Sequence, residues 1–221
     1  SANGWLGDWF YVFGSEGGNY ANAYNINTDT WSPSTPPLLG IDNWCGVPTD
    51  NAFYIVGRYN SAYYNEVQKF VPTAGRATAS WSLVAPYPGA ACGVAAACDG
   101  GDFIYAAGGN PSQTSAYKYS ISGNTWTPIA SLPAVRSYHG GWFADGIFMV
   151  YGGTQTGLEA SLLVYDPGTN TWTNGASLPI GVSFAIFSTT GTDQLMFSVG
   201  GGGGYGSWPA LDAVQIYDPS T

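Results

Sequence analysis

Five short apolar runs, each closed by glycine, recur along the chain. They end at Gly14, Gly57, Gly108, Gly152 and Gly200, which lie 43, 51, 44 and 48 residues apart. Each run is short and rich in β-branched and aromatic side chains, which predicts a buried β-strand. The regular spacing indicates that one structural unit is repeated five times.

Three further segments accompany each of these glycine-closed runs. A Gly-rich apolar segment precedes the run, and an aromatic strand, a tight turn and a Trp-bearing strand follow it, as in AYKYSISGNTWTPIASLP. Tyr and Trp lie seven residues apart in the copies with Tyr24 and Trp31, Tyr119 and Trp126, and Tyr165 and Trp172. Each unit therefore has four predicted strands, called a to d in chain order, and no segment shows a helical period.

Units of four short strands at a period of about 45–50 residues are typical of blades around an axis, because one such sheet cannot bury both of its faces alone. The paired glycines, the Tyr and Trp, and the segment SLPAVRSYHGG at residues 131–141 resemble the kelch repeat. The resemblance covers the whole chain. It implies an all-β fold, a β-propeller of five kelch-like four-stranded blades in a single domain. The predicted units are residues 1–36, 37–84, 85–132, 133–178 and 179–221.

Not every unit follows the kelch pattern equally well. Ser15 and Arg58 stand where a second glycine is expected in the first two units. The repeated Tyr, Trp and Gly residues are interpreted as packing positions between neighbouring blades, and they are not candidate site residues.

The last copy of the repeat, AVQIYDPST, stops after strand c, while the first residues of the chain already form strand a of the first unit. The fifth blade is therefore predicted to lack its outer strand. Three interpretations stay open. The ring closes with five blades, or the sequence is part of a larger propeller, or another chain supplies the missing strand. The predicted open edge, which could also mediate self-association, lies at Val214–Tyr217.

Charge and composition narrow the range of partners. The formal net charge is −9 with five basic residues, which argues against nucleic acid and anionic lipid as ligands. No apolar run is long enough to span a membrane, and membrane insertion is not expected. Few Lys and many Gly, Tyr, Trp and Asn are typical of a secreted protein, so an extracellular location is predicted.

The three cysteines and the single histidine fit no zinc site, and no metal or cofactor is predicted. The cysteines are interpreted as small buried thiols, with one structural disulfide as the alternative.

The strand order places the b–c loops and the d–a linkers at one end of every blade, here called the loop face. It includes SEGGNYAN from Ser15 and RYNSAYYNE from Arg58, both predicted to be loops. Aromatic planes beside amides and carboxylates bind neutral sugars, and they also make protein contacts. The candidate ligand-binding residues are Tyr20, Trp44, Arg58, Tyr59, Tyr63, Tyr64, Glu66, Arg136, His139, Tyr205 and Trp208.

These residues predict a secreted, non-catalytic, lectin-like module that binds a glycan or a protein partner on the loop face. The alternative is a structural subunit of an extracellular complex or filament, and a sugar-acting hydrolase is the third hypothesis. No catalytic residue is predicted. A Ser–His–acid triad would have to use His139, which is interpreted as a hydrogen-bonded side chain near the axis. Galactose oxidase, whose kelch-type propeller the repeat resembles, needs two His for its copper, and this chain has one.

Overall fold

The computed structural model of the protein describes residues 2–15, 18–40, 45–73, 78–111, 113–184, 186–189, 196–202 and 211–218. These residues form 19 β-strands in five antiparallel sheets, and no helix occurs among them. In every sheet, strands that follow each other along the chain are neighbours. The predicted all-β architecture of five blades is confirmed.

The first four sheets, blades 1 to 4, have four strands each. Blade 1 contains β1 (Ala2–Leu6), β2 (Trp9–Ser15), β3 (Gly18–Asn25) and β4 (Thr30–Pro33). Blade 2 contains β5 (Cys45–Pro48), β6 (Phe53–Tyr59), β7 (Tyr63–Pro72) and β8 (Ala79–Val84). Blade 3 contains β9 (Ala95–Cys98), β10 (Phe103–Ala107), β11 (Ala116–Ser120) and β12 (Thr125–Ile129). Blade 4 contains β13 (Gly140–Ala144), β14 (Ile147–Tyr151), β15 (Leu162–Asp166) and β16 (Thr171–Asn174).

The fifth sheet, blade 5, has three strands within the described residues, in agreement with the predicted absence of an outer strand. They are β17 (Ile186–Thr189), β18 (Met196–Val199) and β19 (Val214–Tyr217).

The seven-residue spacing of Tyr and Trp follows from the hairpin between strands c and d. A tight turn places the two side chains directly opposite each other, so their rings contact on one face of the sheet. Tyr119 pairs with Trp126 in blade 3, with ring centroids 4.9 Å apart. The same pairing occurs between Tyr24 and Trp31 and between Tyr165 and Trp172.

The blades pack side by side in chain order. The first strands of adjacent blades contact each other, β1 with β5, β5 with β9 and β9 with β13. Four hydrophobic clusters fill the spaces between blades 1 and 2, 2 and 3, 3 and 4, and 4 and 5. Each cluster takes the apolar side chains of two facing sheets, which is how blades that cannot form a core alone become stable together.

Adjacent blades are also joined by side-chain hydrogen bonds. In blade 3, the indole N–H of Trp126 donates to the carbonyl of Ala85 at 3.0 Å, in the linker from blade 2. The side-chain oxygen of Asn124 accepts the N–H of Ala85 at 2.8 Å and the hydroxyl of Tyr119 at 2.9 Å. We call this arrangement the linker clasp. Blade 4 repeats it with Tyr165, Asn170 and Trp172 on Ala130.

The described residues leave one face of blade 1 and one face of blade 5 exposed. Blade 1 has a clasp-type pair, in which Tyr24 donates its hydroxyl to Asp29 at 2.8 Å, yet Trp31 is 57% exposed. On blade 5, Val214 is 60% exposed, whereas Leu162 at the same ladder position of blade 4 is 1% exposed. Blades 1 and 5 therefore each present one apolar face that the other blades bury.

The structure corrects two of the predicted loops. β3 begins at Gly18, and the hairpin of blade 2 continues to the pair Tyr59 and Tyr63, so only residues 60–62 connect its strands. In blade 2 the pairing register of β6 and β7 shifts at Gly57. The ladder then continues, with Arg58 opposite Tyr64, so the strands extend beyond the predicted loop boundary. A bulge of this kind tightens the local twist while the ladder continues.

Candidate binding face

The loop face of blade 2 is formed by the extended hairpin of β6 and β7. The guanidinium of Arg58 stacks on the ring of Tyr64, 3.8 Å from its centroid, and donates to the Glu66 carboxylate at 3.1 Å. This arrangement neutralises the charge of Arg58 and leaves its side chain largely buried. Three of the predicted site residues therefore form one cluster, in which Arg58 Nε and Glu66 Oε2 are buried without a hydrogen-bond partner.

The structure also describes three other predicted aromatics of this face. Tyr59 and Tyr63 contact each other at the end of the hairpin, with ring centroids 5.3 Å apart. Tyr20 lies on β3 of blade 1 and is exposed. Three candidates lie outside the described residues: Trp44, Tyr205 and Trp208.

Arg136 is buried in the linker before β13. Its guanidinium donates to the Ser161 carbonyl at 3.0 Å and to the Ser161 hydroxyl at 2.6 Å, and it lies 4.0 Å from the Glu159 carboxylate. Burial lowers the pKa of Arg136, and the nearby carboxylate opposes that shift. These contacts join the linker before β13 to Ser161, the residue before β15, so Arg136 has a structural role in the loop face.

His139 is also buried, at 7% exposure. Its Nε2 lies 3.1 Å from the carbonyl of Ala107 in blade 3, and since a carbonyl only accepts, Nε2 carries the proton. Burial, and next the charge of Arg136, lower the pKa of His139 to about 3. His139 is therefore a neutral residue that connects blades 3 and 4.

Two aromatic residues that the sequence did not single out stack on each other before the first strands of blades 4 and 5. Tyr138 and Phe184 each lie two residues before an innermost strand, and their rings stack 4.1 Å apart at 22°. Both have left-handed backbones, with φ of 56° and 53°, at the position where blade 3 has Gly93 with φ of 59°. The N–H of Phe184 donates to Tyr138, and that of Tyr138 donates to Gly93.

Polar groups surround this aromatic pair. The hydroxyl of Tyr138 accepts a hydrogen bond from the Asn110 amide at 2.5 Å and lies 3.8 Å from the Cys92 sulfur. Burial is the main cause that raises the pKa of Tyr138, and the nearby groups include Tyr63 of blade 2. We call the set Tyr63, Cys92, Asn110, Tyr138 and Phe184 the aromatic mouth.

The left-handed backbone at the aromatic mouth carries a conformational cost. For a bulky L-residue this region costs about 1–2 kcal/mol, and such strain tends to persist where a site needs it. Phe184 nevertheless exposes 39% of its surface, so the chain holds a strained aromatic ring partly in solvent. An alignment of SYHGG with CGVAA would have shown Tyr138 at the position of Gly93.

The three cysteines are free thiols rather than a disulfide, with Cys92 buried and Cys45 and Cys98 half-buried. Burial raises the pKa of Cys92 to about 11. Among the described residues, no group of three or more His, Cys, Asp or Glu is arranged to hold a metal ion. The described part of the chain also contains no helix of the length and apolarity needed to cross a membrane.

Comparison with known proteins supports the fold. No protein-family model matches the chain, and no curated protein matches it. Among solved structures, the chain is similar to one titled "Structure of YjhT", with a TM-score of 0.74 and 15% identity. The match covers 91% of this chain and 72% of that one. At this identity the likeness shows the fold alone, and it agrees with the β-propeller architecture of the five packed blades.

Proposed function

We propose that this protein is a secreted, non-catalytic, lectin-like module of the kelch type, whose loop face binds a neutral glycan at the aromatic mouth. The observation that carries the proposal is the partly exposed residue Phe184, whose ring stacks on Tyr138 and whose backbone is strained. An aromatic plane of this kind takes the C–H face of a pyranose.

The polar residues around the ring favour a neutral ligand. Asn110 lies beside Tyr138, and its amide oxygen can accept a hydrogen bond from a sugar hydroxyl. The arginines near the mouth are both engaged, Arg58 with Glu66 and Arg136 with Ser161. A net charge of −9 adds a field that repels anionic sugars. A neutral sugar is therefore favoured over a sialic or uronic acid.

A glycan array with the whole chain tests the proposal, followed by calorimetry with the strongest glycan. Phe184→Ala is expected to weaken binding by at least about tenfold, because the stacking surface is removed. Trp31→Ala is the matched control, since it removes an exposed aromatic from blade 1, away from the mouth, and is expected to leave the affinity unchanged. Absence of binding to every glycan, or equal loss in both variants, would overturn the proposal.

The alternative function, a structural subunit of an extracellular assembly, has separate support. Trp31 on blade 1 and Val214 and Ile216 on blade 5 expose apolar surface that the intervening blades bury. Light scattering of the protein across a concentration series separates the two functions. A monomer that binds glycans supports the lectin, and large oligomers without glycan binding support the assembly subunit.

A further inference from the structure

Blades 3 and 4 share a short bridge between the linker that precedes the blade and the loop that follows its second strand. In blade 3, Cys92 and Asn110 exchange two backbone hydrogen bonds, at 3.0 and 2.7 Å. In blade 4, Ser137 and Thr154 exchange the same two bonds, at 3.1 and 2.8 Å. The two pairs therefore occupy equivalent positions, and their side chains can be compared directly.

Although the backbone bridge is the same, the loop side chain binds a different partner in each blade. The hydroxyls of Ser137 and Thr154 lie 3.1 Å apart, so Thr154 is bonded within its own blade. Blade 3 has Cys92 in place of the serine, and a thiol is a weak hydrogen-bonding group. The amide of Asn110 donates instead to the hydroxyl of Tyr138 at 2.5 Å. Asn110 therefore connects the loop of blade 3 with the residue that supports the ring of the aromatic mouth before blade 4.

The ring of Tyr138 is held by contacts from three parts of the chain. A Cβ at Gly93 would lie 2.5 Å from this ring, so the ring packs directly on the glycine backbone. Phe184 stacks on the ring, and its N–H donates to the Tyr138 carbonyl at 3.2 Å. The bond from Asn110 acts on the hydroxyl, the end of the ring farthest from the backbone, and so restrains the side-chain torsions of Tyr138.

We propose that Asn110 is a positioning residue of the aromatic mouth, whose amide holds the Tyr138 ring in place so that Phe184 presents a fixed platform to a sugar. This proposal rests on the glycan-binding function proposed above and specifies how the site is preorganised. A side chain that is ordered before binding loses less freedom when the ligand arrives, which increases affinity. The platform then depends on the packing of blade 3 against blade 4, because Asn110 and Tyr138 lie on opposite sides of that boundary.

A direct contact between Asn110 and the sugar is the competing role, and it predicts a different result. If Asn110 acts by positioning, its effect on binding requires the hydroxyl of Tyr138. If Asn110 binds the sugar itself, its effect is independent of that hydroxyl. Tyr138→Phe removes the hydroxyl and keeps the ring, so a double-mutant cycle of Asn110→Ala with Tyr138→Phe separates the two roles.

Calorimetry of the whole chain with the strongest glycan of the array is the first measurement, and circular dichroism confirms that each variant is folded. Asn110→Ala is expected to weaken binding about fivefold, the effect of one hydrogen bond, and by less than about twofold in the Tyr138→Phe background. Asn110→Asp is expected to retain native affinity, because its carboxylate accepts the hydroxyl proton of Tyr138. Thr154→Ala is the matched control at the same position of blade 4 and is expected to leave the affinity unchanged.

Urea unfolding of the same four proteins of the cycle is the second measurement, and it involves no glycan. The double variant is expected to be no less stable than Tyr138→Phe alone, because the bond between the two side chains is already lost. Additive losses of stability, or an equal loss of affinity from Asn110→Ala in both backgrounds, would overturn the positioning role. Absence of binding to every glycan would overturn the lectin function whatever the urea cycle gives, so the two failures are distinguishable.

Discussion

The indole N–H of Trp126 donates a 3.0 Å hydrogen bond to the carbonyl of Ala85, a residue 41 positions earlier in the chain. The bond joins blade 3 to the linker from blade 2, and the ring packs against Tyr87 at 5.2 Å in the same linker. The recurring Trp of this sequence is therefore an inter-blade contact. Trp31 makes no such contact with the described residues and is 57% exposed.

Replacement of Trp126 by Ala is expected to lower the free energy of unfolding by about 2–4 kcal/mol, because packing and a hydrogen bond are both lost. Trp126→Phe keeps most of the aromatic packing and removes the hydrogen bond to Ala85. The free energy of unfolding is therefore expected to fall by about 1 kcal/mol. Trp31→Ala is the matched control, with an expected loss below about 1 kcal/mol. Urea unfolding followed by circular dichroism measures all three, and similar losses at Trp126 and Trp31 would contradict the inter-blade role.

The first glycine of the pair Gly108–Gly109 is required by its surroundings. Gly108 has a φ of 66°, and a Cβ there would lie 2.5 Å from the Arg136 carbonyl oxygen and 2.8 Å from the His139 ring. Gly108→Ala is therefore expected to lower the free energy of unfolding by roughly 2–4 kcal/mol, through backbone strain and a clash with main chain.

Gly157→Ala is the control for that substitution. A Cβ at Gly157 meets no atom within 4 Å, and its backbone is not left-handed. We expect a change of less than about 0.5 kcal/mol, since a compatible Gly→Ala exchange mainly restricts the unfolded chain. Thermal or denaturant unfolding of the two variants gives the comparison. Equal stability of the two variants would show that blades 3 and 4 are not in close contact at Gly108.

Because His139 is buried, the free energy of unfolding is expected to depend on pH in the acid range. The pKa of His139 is about 3 in the folded protein, and an unfolded histidine titrates near 6.5. Between these values the unfolded chain binds a proton that the folded protein does not. The stability contributed by neutral His139 is thus complete above about pH 6.5 and is lost progressively as the pH falls towards 3, at up to about 1.4 kcal/mol per pH unit.

His139→Gln provides the reference for this pH dependence, because Gln keeps an N–H donor for Ala107 and does not titrate. Unfolding free energies of both proteins are to be measured in urea from pH 4 to pH 7. The native protein is expected to lose stability more steeply than the variant as the pH is lowered from 6.5. Parallel curves would mean that His139 is protonated in the folded state at these pH values.

Much of the fold could be predicted because its signals are local. Glycine-closed apolar runs and the Tyr–Trp spacing mark each strand pair, and the repeat then implies that blades pack on one another. The loop face was harder to predict. Arg136 and His139 were predicted on it, but their side chains turn inward to Ser161 and Ala107, 25 and 32 residues away. Contacts at such separations have no signature in a single sequence.

Phe184 is the reverse case: it belongs to the candidate site, yet the sequence around it gave no reason to predict it there. Aromatic residues rarely adopt a left-handed backbone, and propensity therefore gives no reason to expect one at Phe184. The evidence lay in the repeat, where blade 3 has Gly93 at the same position. Comparison between copies can thus reveal strained positions that a single copy conceals.

The strain at Phe184 can be measured by comparing Phe184→Gly with Phe184→Ala. Both variants lose the ring and its contact with Tyr138, so the difference between them reports the backbone. Alanine must adopt the φ of 53° at a cost of about 1–2 kcal/mol, while glycine adopts it freely and loses about 0.5–1 kcal/mol in chain entropy. We expect the glycine variant to be as stable as the alanine variant or up to about 1.5 kcal/mol more stable.

Thr173 in β16 provides the matched control, because it lies in an ordinary extended strand and is exposed. There the order should reverse, with Thr173→Gly less stable than Thr173→Ala by about 0.5–1 kcal/mol. Urea unfolding gives both differences. If Phe184→Gly proves less stable than Phe184→Ala by the margin seen at Thr173, the backbone at Phe184 is not strained. The aromatic mouth would then be an ordinary surface, and the main structural support for glycan binding would be lost.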